Sequence, residues 1–330
     1  MTSLKAENPI VSTRRLGGLG AVRNYGVVIG VVALFVVLSI SSGPFLTKSN
    51  LLNLIDQSAY VGIIACAGTF VVIAGCVDLS VASIFALAGV VAAEVSLHVD
   101  PWIGLLAGVL AGGVAGALNG CVVVFGRVNS LIATIASALV FTGVAQIITN
   151  GQLITPSNQS FATIGQGSFI SVTYTAWAFI AVAAFLWFVI ARSRFGRHVY
   201  AAGGNAEAAR LSGLIVGRIR TTTFVLSGLA AGIAGVLSAS RIGDGQSDAG
   251  ANLQVTALTA VFIGGTSLSG GSGSVWRTIV GVFLLTLINN GFDLLGINPI
   301  YETIVQGLII LVAVSADAWS RRGTSSGMTS

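Results

Sequence analysis

The chain has 330 residues, of which 54% are hydrophobic and only 8% are charged, and its mean hydropathy is +0.92. Soluble domains carry about 25% charged residues, so this composition excludes an ordinary water-soluble protein. The net charge of +5 does not indicate a nucleic-acid partner, because the basic residues lie between the apolar runs and are not gathered on one soluble face.

Long apolar runs predict an all-α, polytopic membrane protein with about ten transmembrane helices. A helix needs roughly 20 apolar residues to cross a bilayer, whereas strands of membrane barrels alternate over about 10 residues, and the runs here are continuous. The predicted spans are 25–42, 51–74, 80–97, 102–125, 130–149, 173–191, 222–240, 253–266, 275–295 and 301–318. The predicted transmembrane domain is therefore 25–318, flanked by tails over 1–24 and 319–330. A secretory signal is the alternative for the first run, and an uncleaved span is preferred because more spans follow.

The basic residues orient these spans. An even number of spans places both ends on one side of the membrane, and if that side is inside, only Lys48 and Arg241 fall outside. Because cytoplasmic loops carry the excess of Lys and Arg, both termini are predicted to be cytoplasmic. Removing one span would place Arg127, or the arginines of 192–220, on the outer side.

Two predicted loops are longer than the others. The outer loop, about 150–172, is polar and nearly uncharged, and is a candidate for a short structured segment. The inner loop, about 192–221, carries six arginines, which assign it to the cytoplasm.

Glycines at every fourth position predict close helix packing in the fourth span. Small residues at this spacing let helix backbones approach closely in lipid. The predicted groove receives a helix of the same chain or of a partner subunit, and the same chain is favoured. The span 222–240 repeats the pattern with Ser227, Ala231 and Gly235, and with Gly228 and Gly232. The ladder of the fourth span is Gly104, Gly108, Gly112, Gly116 and Gly120.

The sequence contains no motif for energy conversion or catalysis. No lysine follows Lys48, so the GxxxxGK[ST] loop of P-loop ATPases is absent. Cys66, Cys76 and Cys121 lie in apolar stretches without a CxxC pair, and buried small side chains are the expected interpretation. With two separated histidines, no metal site is expected.

A short helix is predicted inside the inner loop. Asn205 is a good N-cap, residues 206–211 are strong helix formers, and Gly213 is a typical C-terminal stop. Such a helix is about 12 Å long and too short to be stable alone. It is either a lid packed on the protein's own inner face or a plug for a partner's cleft, and the plug is favoured.

Four blocks of the sequence, in this order, carry a family resemblance: GCVDLSVAS (75–83), FGRHVYAAGGNAEAARLSGL (195–214), IGGTSLSGGSG (263–273) and INNGFDLLG (288–296). From about Tyr25 to Asp317 the chain resembles the permease subunits of bacterial ABC importers for ribose, L-arabinose, xylose and related sugars. Ala74, Cys76 and Ala82 stand where many members have glycine, which leaves the sugar open. The segment DLSVAS is similar to the arabinose-type members.

The resemblance implies a multi-pass subunit of the bacterial inner membrane that transports and is not itself an enzyme. It implies ten helices per subunit and two permease copies side by side, as a homodimer or a heterodimer, with the sugar path along their interface. ATP and Mg would be bound by a separate cytoplasmic ATPase, no cofactor by this chain, and a periplasmic binding protein would deliver the sugar. The implied contacts with the ATPase are Gly203, Gly204, Asn205, Glu207, Ala208, Arg210, Leu211, Ser212 and Gly213.

Two other classes of function are alternatives to an importer permease. A secondary, ion-coupled transporter needs intramembrane carboxylates or histidines as a relay, and Asp78 is the main candidate. A membrane assembly protein without a transport role is disfavoured by the short polar breaks, because irregular backbone in a membrane is costly unless it lines a cavity or is buried in protein.

Polar residues within or between spans are candidates for the pathway or its gate. Asp78 and Ser80 lie at a break between spans, where either caps a helix or shapes an inner gate. Asn119, Asn289 and Asn290 lie inside spans, and each is expected to bond a neighbouring helix or to face water, since an unpaired buried amide is costly. At least one of the pair Asn289 and Asn290 is hypothesised to face the subunit interface and the sugar path.

Three outer charges bracket a short external loop. Arg241, Asp244 and Asp248 are either simply solvated or help to dock the binding protein, because complementary charge guides encounter and register.

Overall fold

The structure is a computed structural model, and it describes residues 17–298 and 300–325. These residues form 13 α-helices and one antiparallel pair of two-residue strands, β1 (Ser168–Phe169) and β2 (Val172–Thr173). In chain order the helices are α1 (Gly17–Ser41), α2 (Lys48–Ile73), α3 (Val81–His98), α4 (Pro101–Phe125), α5 (Ser130–Thr149), α6 (Ser160–Gln166), α7 (Tyr174–Arg192), α8 (Arg194–Gly204), α9 (Ala206–Leu211), α10 (Val216–Ile242), α11 (Leu253–Ile263), α12 (Val275–Leu294) and α13 (Ile300–Ser325).

Each of the ten predicted spans overlies one long or apolar helix. Within the described residues, seven helices are long and apolar enough to cross a membrane, namely α2, α3, α4, α5, α7, α10 and α12. Shorter apolar helical segments lie at Gly26–Ser41, Leu253–Ile263 and Thr303–Val312. The helices α1 and α13 extend into the predicted tails, whose residues 1–16 and 326–330 lie outside the described part of the chain.

Both long loops contain short elements that lie outside the predicted spans. The outer loop holds α6 and the pair β1–β2, which confirms a structured segment there and adds a small hairpin to the predicted all-α fold. α6 lies against the end of α10, where the Ser240 hydroxyl donates to the Phe161 carbonyl at 2.5 Å and accepts from the Gly165 N–H at 2.8 Å. The inner loop holds α9 and also α8, a helix that the sequence analysis did not predict.

The glycine ladder of α4 packs against α3 and α10 of the same chain. A Cβ atom on Gly112 would lie 2.8 Å from the Cα atom of Gly232, and one on Gly116 would lie 3.0 Å from the Cα atom of Gly228. Gly104 lies against the backbone and the Ser96 side chain of α3. The groove is therefore filled from within the chain, which confirms the favoured interpretation.

The contact of α4 with α10 gives a matched test of this packing. Gly112→Ala is expected to lower the melting temperature of the detergent-solubilised protein, because its Cβ atom meets helix backbone and overpacking costs about 1–3 kcal/mol. Gly143→Ala is the control, since a Cβ atom on this α5 glycine meets nothing within 4 Å and Ala is the better helix former. Equal melting temperatures for the two variants would contradict the close packing of α4 on α10.

Candidate functional site

The short helix α9 of the inner loop has the predicted local geometry. The Asn205 side chain caps it by accepting from the Ala208 N–H at 2.9 Å. Glu207 and Arg210, at the two ends of the helix, form an ion pair at 2.7 Å. Gly213 has a φ of +85°, a conformation that favours glycine at a helix stop. The helix, its cap and its stop are thereby confirmed.

The side chains of α9 point away from the rest of the chain. Leu211 is 80% exposed, and Glu207, Ala208 and Arg210 are exposed as well. Within α9, Ala209 is the buried residue. A lid on the protein's own inner face would bury its apolar leucine, so the structure does not support the lid. The Leu211 side chain is therefore free to contact another molecule.

The two glycines before Asn205 differ in environment, since Gly204 is exposed while Gly203 is half-buried. Gly203 and Gly204 end α8, and a Cβ atom on Gly203 would meet the Ile73 carbonyl and lie 2.7 Å from the Gly271 N atom. Gly203 therefore packs against its own chain, and the prediction that it seats in a partner's cleft is wrong. The physical reason is that α8 ends against the membrane helices, and the projecting surface starts after it.

The segment between α2 and α3, residues 74–80, is here called the break. Asp78 is buried there, and its Oδ1 atom accepts from the Ser80 N–H at 3.0 Å and from the Ser80 hydroxyl at 2.6 Å. Its Oδ2 atom accepts from the Ser227 hydroxyl of α10 at 2.9 Å. The Asn119 amide of α4 donates to the Ser80 hydroxyl at 2.6 Å. The structure thus joins three of the predicted pathway residues in one buried network.

Among the bonds of the described residues, neither Asp78 nor Ser80 caps α3 through a side-chain bond to its first turn. Ser80 occupies the N-cap position but makes no capping bond with its side chain, and Asp78 accepts the Ser80 N–H instead. From α5, the Ser130 hydroxyl accepts from the Val77 N–H at 3.1 Å and the Thr134 hydroxyl accepts from the Leu79 N–H at 3.1 Å. Neither these two hydroxyl groups nor the bonding role of Ser227 was predictable from the sequence. Their spacing in the sequence carries no signal, because each pairs with a distant segment.

The two asparagines of α12 have different environments. Asn290 is buried and exchanges two side-chain hydrogen bonds with Asn50 of α2, at 2.8 and 3.1 Å. It therefore bonds a neighbouring helix, one of the two expected outcomes. The Oδ1 atom of Asn289 is buried without a hydrogen-bond partner among the described residues, so Asn289 is the member of the pair that stays a candidate for the sugar path.

The outer charges do not form one exposed patch. Arg241 forms an ion pair with Asp56 of α2, a buried residue that also accepts from the Thr173 hydroxyl at the start of α7. A guanidinium group held in this way links α2, α7 and α10, so the interpretation of Arg241 as a free docking charge is corrected. Asp244 is half-buried, and Asp248 is exposed.

The described residues contain no group of three His, Cys, Asp or Glu side chains that could hold a metal ion. Cys66 and Cys76 are buried as expected. Cys121 is exposed on α4, and its expected burial within the chain is therefore wrong. An apolar side chain on a membrane helix can face lipid, so its hydrophobic context did not require burial by protein.

The sequence matches known transport proteins over most of its length. The model of the family described as branched-chain amino acid transport system / permease component matches residues 50–314. The ribose import permease protein RbsC of Bacillus subtilis (strain 168) is 38% identical over 317 residues, which cover 95% of this chain and 98% of that protein. No solved structure matches the chain.

Two further relatives carry a different sugar in their names. The L-arabinose ABC transporter permease protein AraH of Azospirillum brasilense is 38% identical over 322 residues, which cover 97% of this chain and 95% of that protein. The L-arabinose transport system permease protein AraH of Escherichia coli (strain K12) is 36% identical over 299 residues, which cover 90% of this chain and 91% of that protein.

The hydrogen bonds of Asp78 predict an order of stability for two variants. Asp78→Ala leaves the Ser80 N–H and the Ser227 hydroxyl without their acceptor, and each unsatisfied buried group costs about 1–3 kcal/mol. Asp78→Asn keeps an oxygen for Ser80 and offers an amide to Ser227, so we expect its melting temperature to stay near that of the wild type. Thermal unfolding in detergent, followed by tryptophan fluorescence, measures both. If Asn were as destabilising as Ala, the carboxylate would have a role beyond hydrogen bonding.

Proposed function

Because the chain belongs to this family of transport-system permease components, we propose that it is the transmembrane subunit of an ATP-binding-cassette importer for a monosaccharide such as ribose or L-arabinose. The chain is a multi-pass protein of the bacterial inner membrane. Its relatives named for ribose and for L-arabinose are similarly distant from it, so the proposal extends to pentoses as a class.

The observation that carries the proposal is the projecting helix α9. Its leucine is 80% exposed at the end of a helix that is capped at one end and stopped by glycine at the other. A partner that closes around this helix can move the membrane helices only if the helix neither bends nor slips. The cap by Asn205 and the tight connection to α10, where the Leu214 N–H donates to the Ala209 carbonyl at 3.0 Å, supply that stiffness.

The proposed partner at α9 is a cytoplasmic ABC ATPase that binds ATP and Mg. The chain has no lysine after Lys48 and hence no Walker A loop of its own, which supports an external source of energy. In this assembly the chain itself binds no cofactor and performs no hydrolysis. The contact is assigned to Glu207, Ala208, Arg210, Leu211 and Ser212, with Asn205 and Gly213 shaping the helix ends.

The proposed topology has ten spans with both termini in the cytoplasm. The three shorter apolar helical segments, in α1, α11 and α13, overlie the remaining predicted spans. The distribution of arginines supports the orientation, since α8 and α9 then lie on the cytoplasmic side. α6 and the pair β1–β2 lie on the opposite side, where a periplasmic binding protein would deliver the sugar. On that side, among the three outer charges Arg241, Asp244 and Asp248, Asp248 is exposed and Asp244 is half-buried.

A second copy of the permease completes the proposed importer. The sugar path is assigned to the interface between the two copies, which form a homodimer or pair with a related chain. Asn289 is the residue we assign to this path, because Asn50 already bonds Asn290 whereas Asn289 is only half-buried. The network of Asp78, Ser80 and Asn119 would hold the inner end of the path in shape.

A reconstitution experiment tests the proposal. The chain is placed in liposomes with its cognate ATPase and binding protein. Uptake of labelled ribose and L-arabinose is measured with ATP inside the liposomes, with ATP outside them, and without ATP. Uptake that requires both the ATPase and ATP is the expected result. Uptake without the ATPase, driven by an imposed proton or sodium gradient, would contradict the proposal and favour a secondary transporter.

The exposed leucine gives a sharper test of the contact. Leu211→Asp is expected to weaken the binding of the ATPase about tenfold or more, because burial of a leucine side chain contributes about 1.5–3 kcal/mol. Folding should be unaffected, since the side chain is already exposed. Val128→Asp, at an exposed apolar position of the loop between α4 and α5, is the matched control. Co-purification of the ATPase is measured, and equal recovery with both variants would remove α9 from the contact.

A further inference from the structure

The helix α8 is connected to α9 by a single residue. The backbone N–H of Asn205 donates to the Ala201 carbonyl of α8 at 3.2 Å, and its side chain accepts from the Ala208 N–H of α9 at 2.9 Å. Asn205 thus closes one helix and opens the next. The linker is one residue that is hydrogen-bonded to both helices, so the two helices have little freedom to move separately. A displacement of α9 is therefore passed to α8.

The inner face of α8 is anchored on the membrane helices. Val199 and Ala202 are fully buried, and the Phe195 ring stacks on Phe70 of α2 with centroids 6.4 Å apart. On the same helix, the Tyr200 hydroxyl donates to the carbonyl of Gly273 at 2.9 Å. Gly273 belongs to the segment between α11 and α12, residues 264–274, here called the α11–α12 loop. One helix therefore contacts both α2 and this loop.

The break and the α11–α12 loop also meet each other at the end of α8. The Gly271 N–H donates to the carbonyl of Ile73, the last residue of α2, at 2.8 Å. A Cβ atom on Gly270 would lie 2.8 Å from the Cα atom of Gly75. Gly203 fills the remaining space against Ile73 and Gly271. Three segments that are distant in sequence are therefore in backbone contact at this place, which we call the glycine junction.

The close contacts of the glycine junction leave little room for one of its three segments to move without the other two. Gly75, Gly270 and Gly271 have φ values of +76°, +80° and +73°, so side chains would strain these positions as well as fill the contact. From α10, the Arg220 guanidinium donates to the Ala74 carbonyl at 3.2 Å. Segments packed backbone against backbone move as one unit, because no side chain between them can change its rotamer to absorb a displacement.

We propose that α8 transmits the movement of α9 to the break and the α11–α12 loop together, and that Tyr200 is a positioning residue that holds the loop to α8. The inference rests on the proposed function, since it assumes that an ATPase moves α9. In this arrangement Tyr200 contacts neither the ATPase nor the sugar. Gly203 holds the end of α8 against Ile73 and Gly271, and the Tyr200 hydroxyl adds a second attachment of the loop, at Gly273.

The chemistry of Tyr200 suits a permanent link. Burial raises the pKa of its phenol above the ordinary value, and the positive charge of Arg277 opposes this only in part. The hydroxyl therefore keeps its proton at neutral pH and stays a donor to the Gly273 carbonyl.

The test is Tyr200→Phe, which removes this single hydrogen bond and keeps the ring. The variant and the wild type are reconstituted with the cognate ATPase and binding protein, and three quantities are measured: recovery of the ATPase with the permease, melting temperature, and molecules of ribose or L-arabinose taken up per ATP hydrolysed. Tyr174→Phe is the matched control, since this tyrosine is exposed at the start of α7 and its hydroxyl forms no hydrogen bond within the described part of the chain.

We expect Tyr200→Phe to assemble normally and to hydrolyse ATP while the uptake per ATP falls about fivefold, which corresponds to about 1 kcal/mol, the typical net contribution of one hydrogen bond. Tyr174→Phe should keep the wild-type ratio. An unchanged ratio in Tyr200→Phe would overturn the inference. So would a loss of assembly or melting temperature with hydrolysis and uptake falling in proportion, because that pattern describes a purely structural bond. A wild-type complex without ATP-dependent uptake would overturn the proposed function itself, and this inference with it.

Discussion

The structure depends on how the irregular backbone between α2 and α3 is satisfied by protein. An unpaired buried N–H or C=O group costs about 1–3 kcal/mol, so buried backbone that leaves the helix must find partners in side chains or other backbone. The break finds them in side chains of three neighbouring helices: Ser130 and Thr134 of α5 accept its N–H groups, Ser227 of α10 donates to Asp78, and Asn119 of α4 reaches Ser80. Each of these bonds fixes the position of a helix as well as the break.

These bonds require the helices to approach closely, and glycine makes the approach possible. The ladder on α4 admits the backbone of α10 near Gly112 and Gly116, which brings Ser227 within reach of the buried carboxylate of Asp78. At the other end of the break, the glycine junction brings α8 against Gly75. The same small residues therefore serve packing within the membrane domain and contact with the helices that project from it. A consequence is that α9 is attached, through α8, to a junction formed mainly by backbone atoms.

Local and periodic features were predictable from the sequence. The positions of the long helices follow from continuous apolar runs, and the helix at α9 follows from a capping residue, strong helix formers and a terminal glycine. The ladder of glycines predicted close packing because its spacing repeats along one face of one helix. Membership of the permease family, expected from the four blocks, is also confirmed. The signals for the helices and for their packing each lie within one helix, where local physics decides the outcome.

Pairings between distant segments were decided by the tertiary structure. From the sequence, Arg241 is either simply solvated or a docking charge, and in the structure it pairs with Asp56, which lies far away in the sequence. Asn290 is a candidate for the sugar path from the sequence, and in the structure its side-chain amide is hydrogen-bonded to Asn50 of α2. Gly203 was assigned to a partner's cleft, and the chain's own backbone fills that space. The sequence by itself determined which groups need a partner, because a buried charge or amide is costly when unpaired. Which partner each group meets depends on how the helices are arranged, and no local pattern records that arrangement.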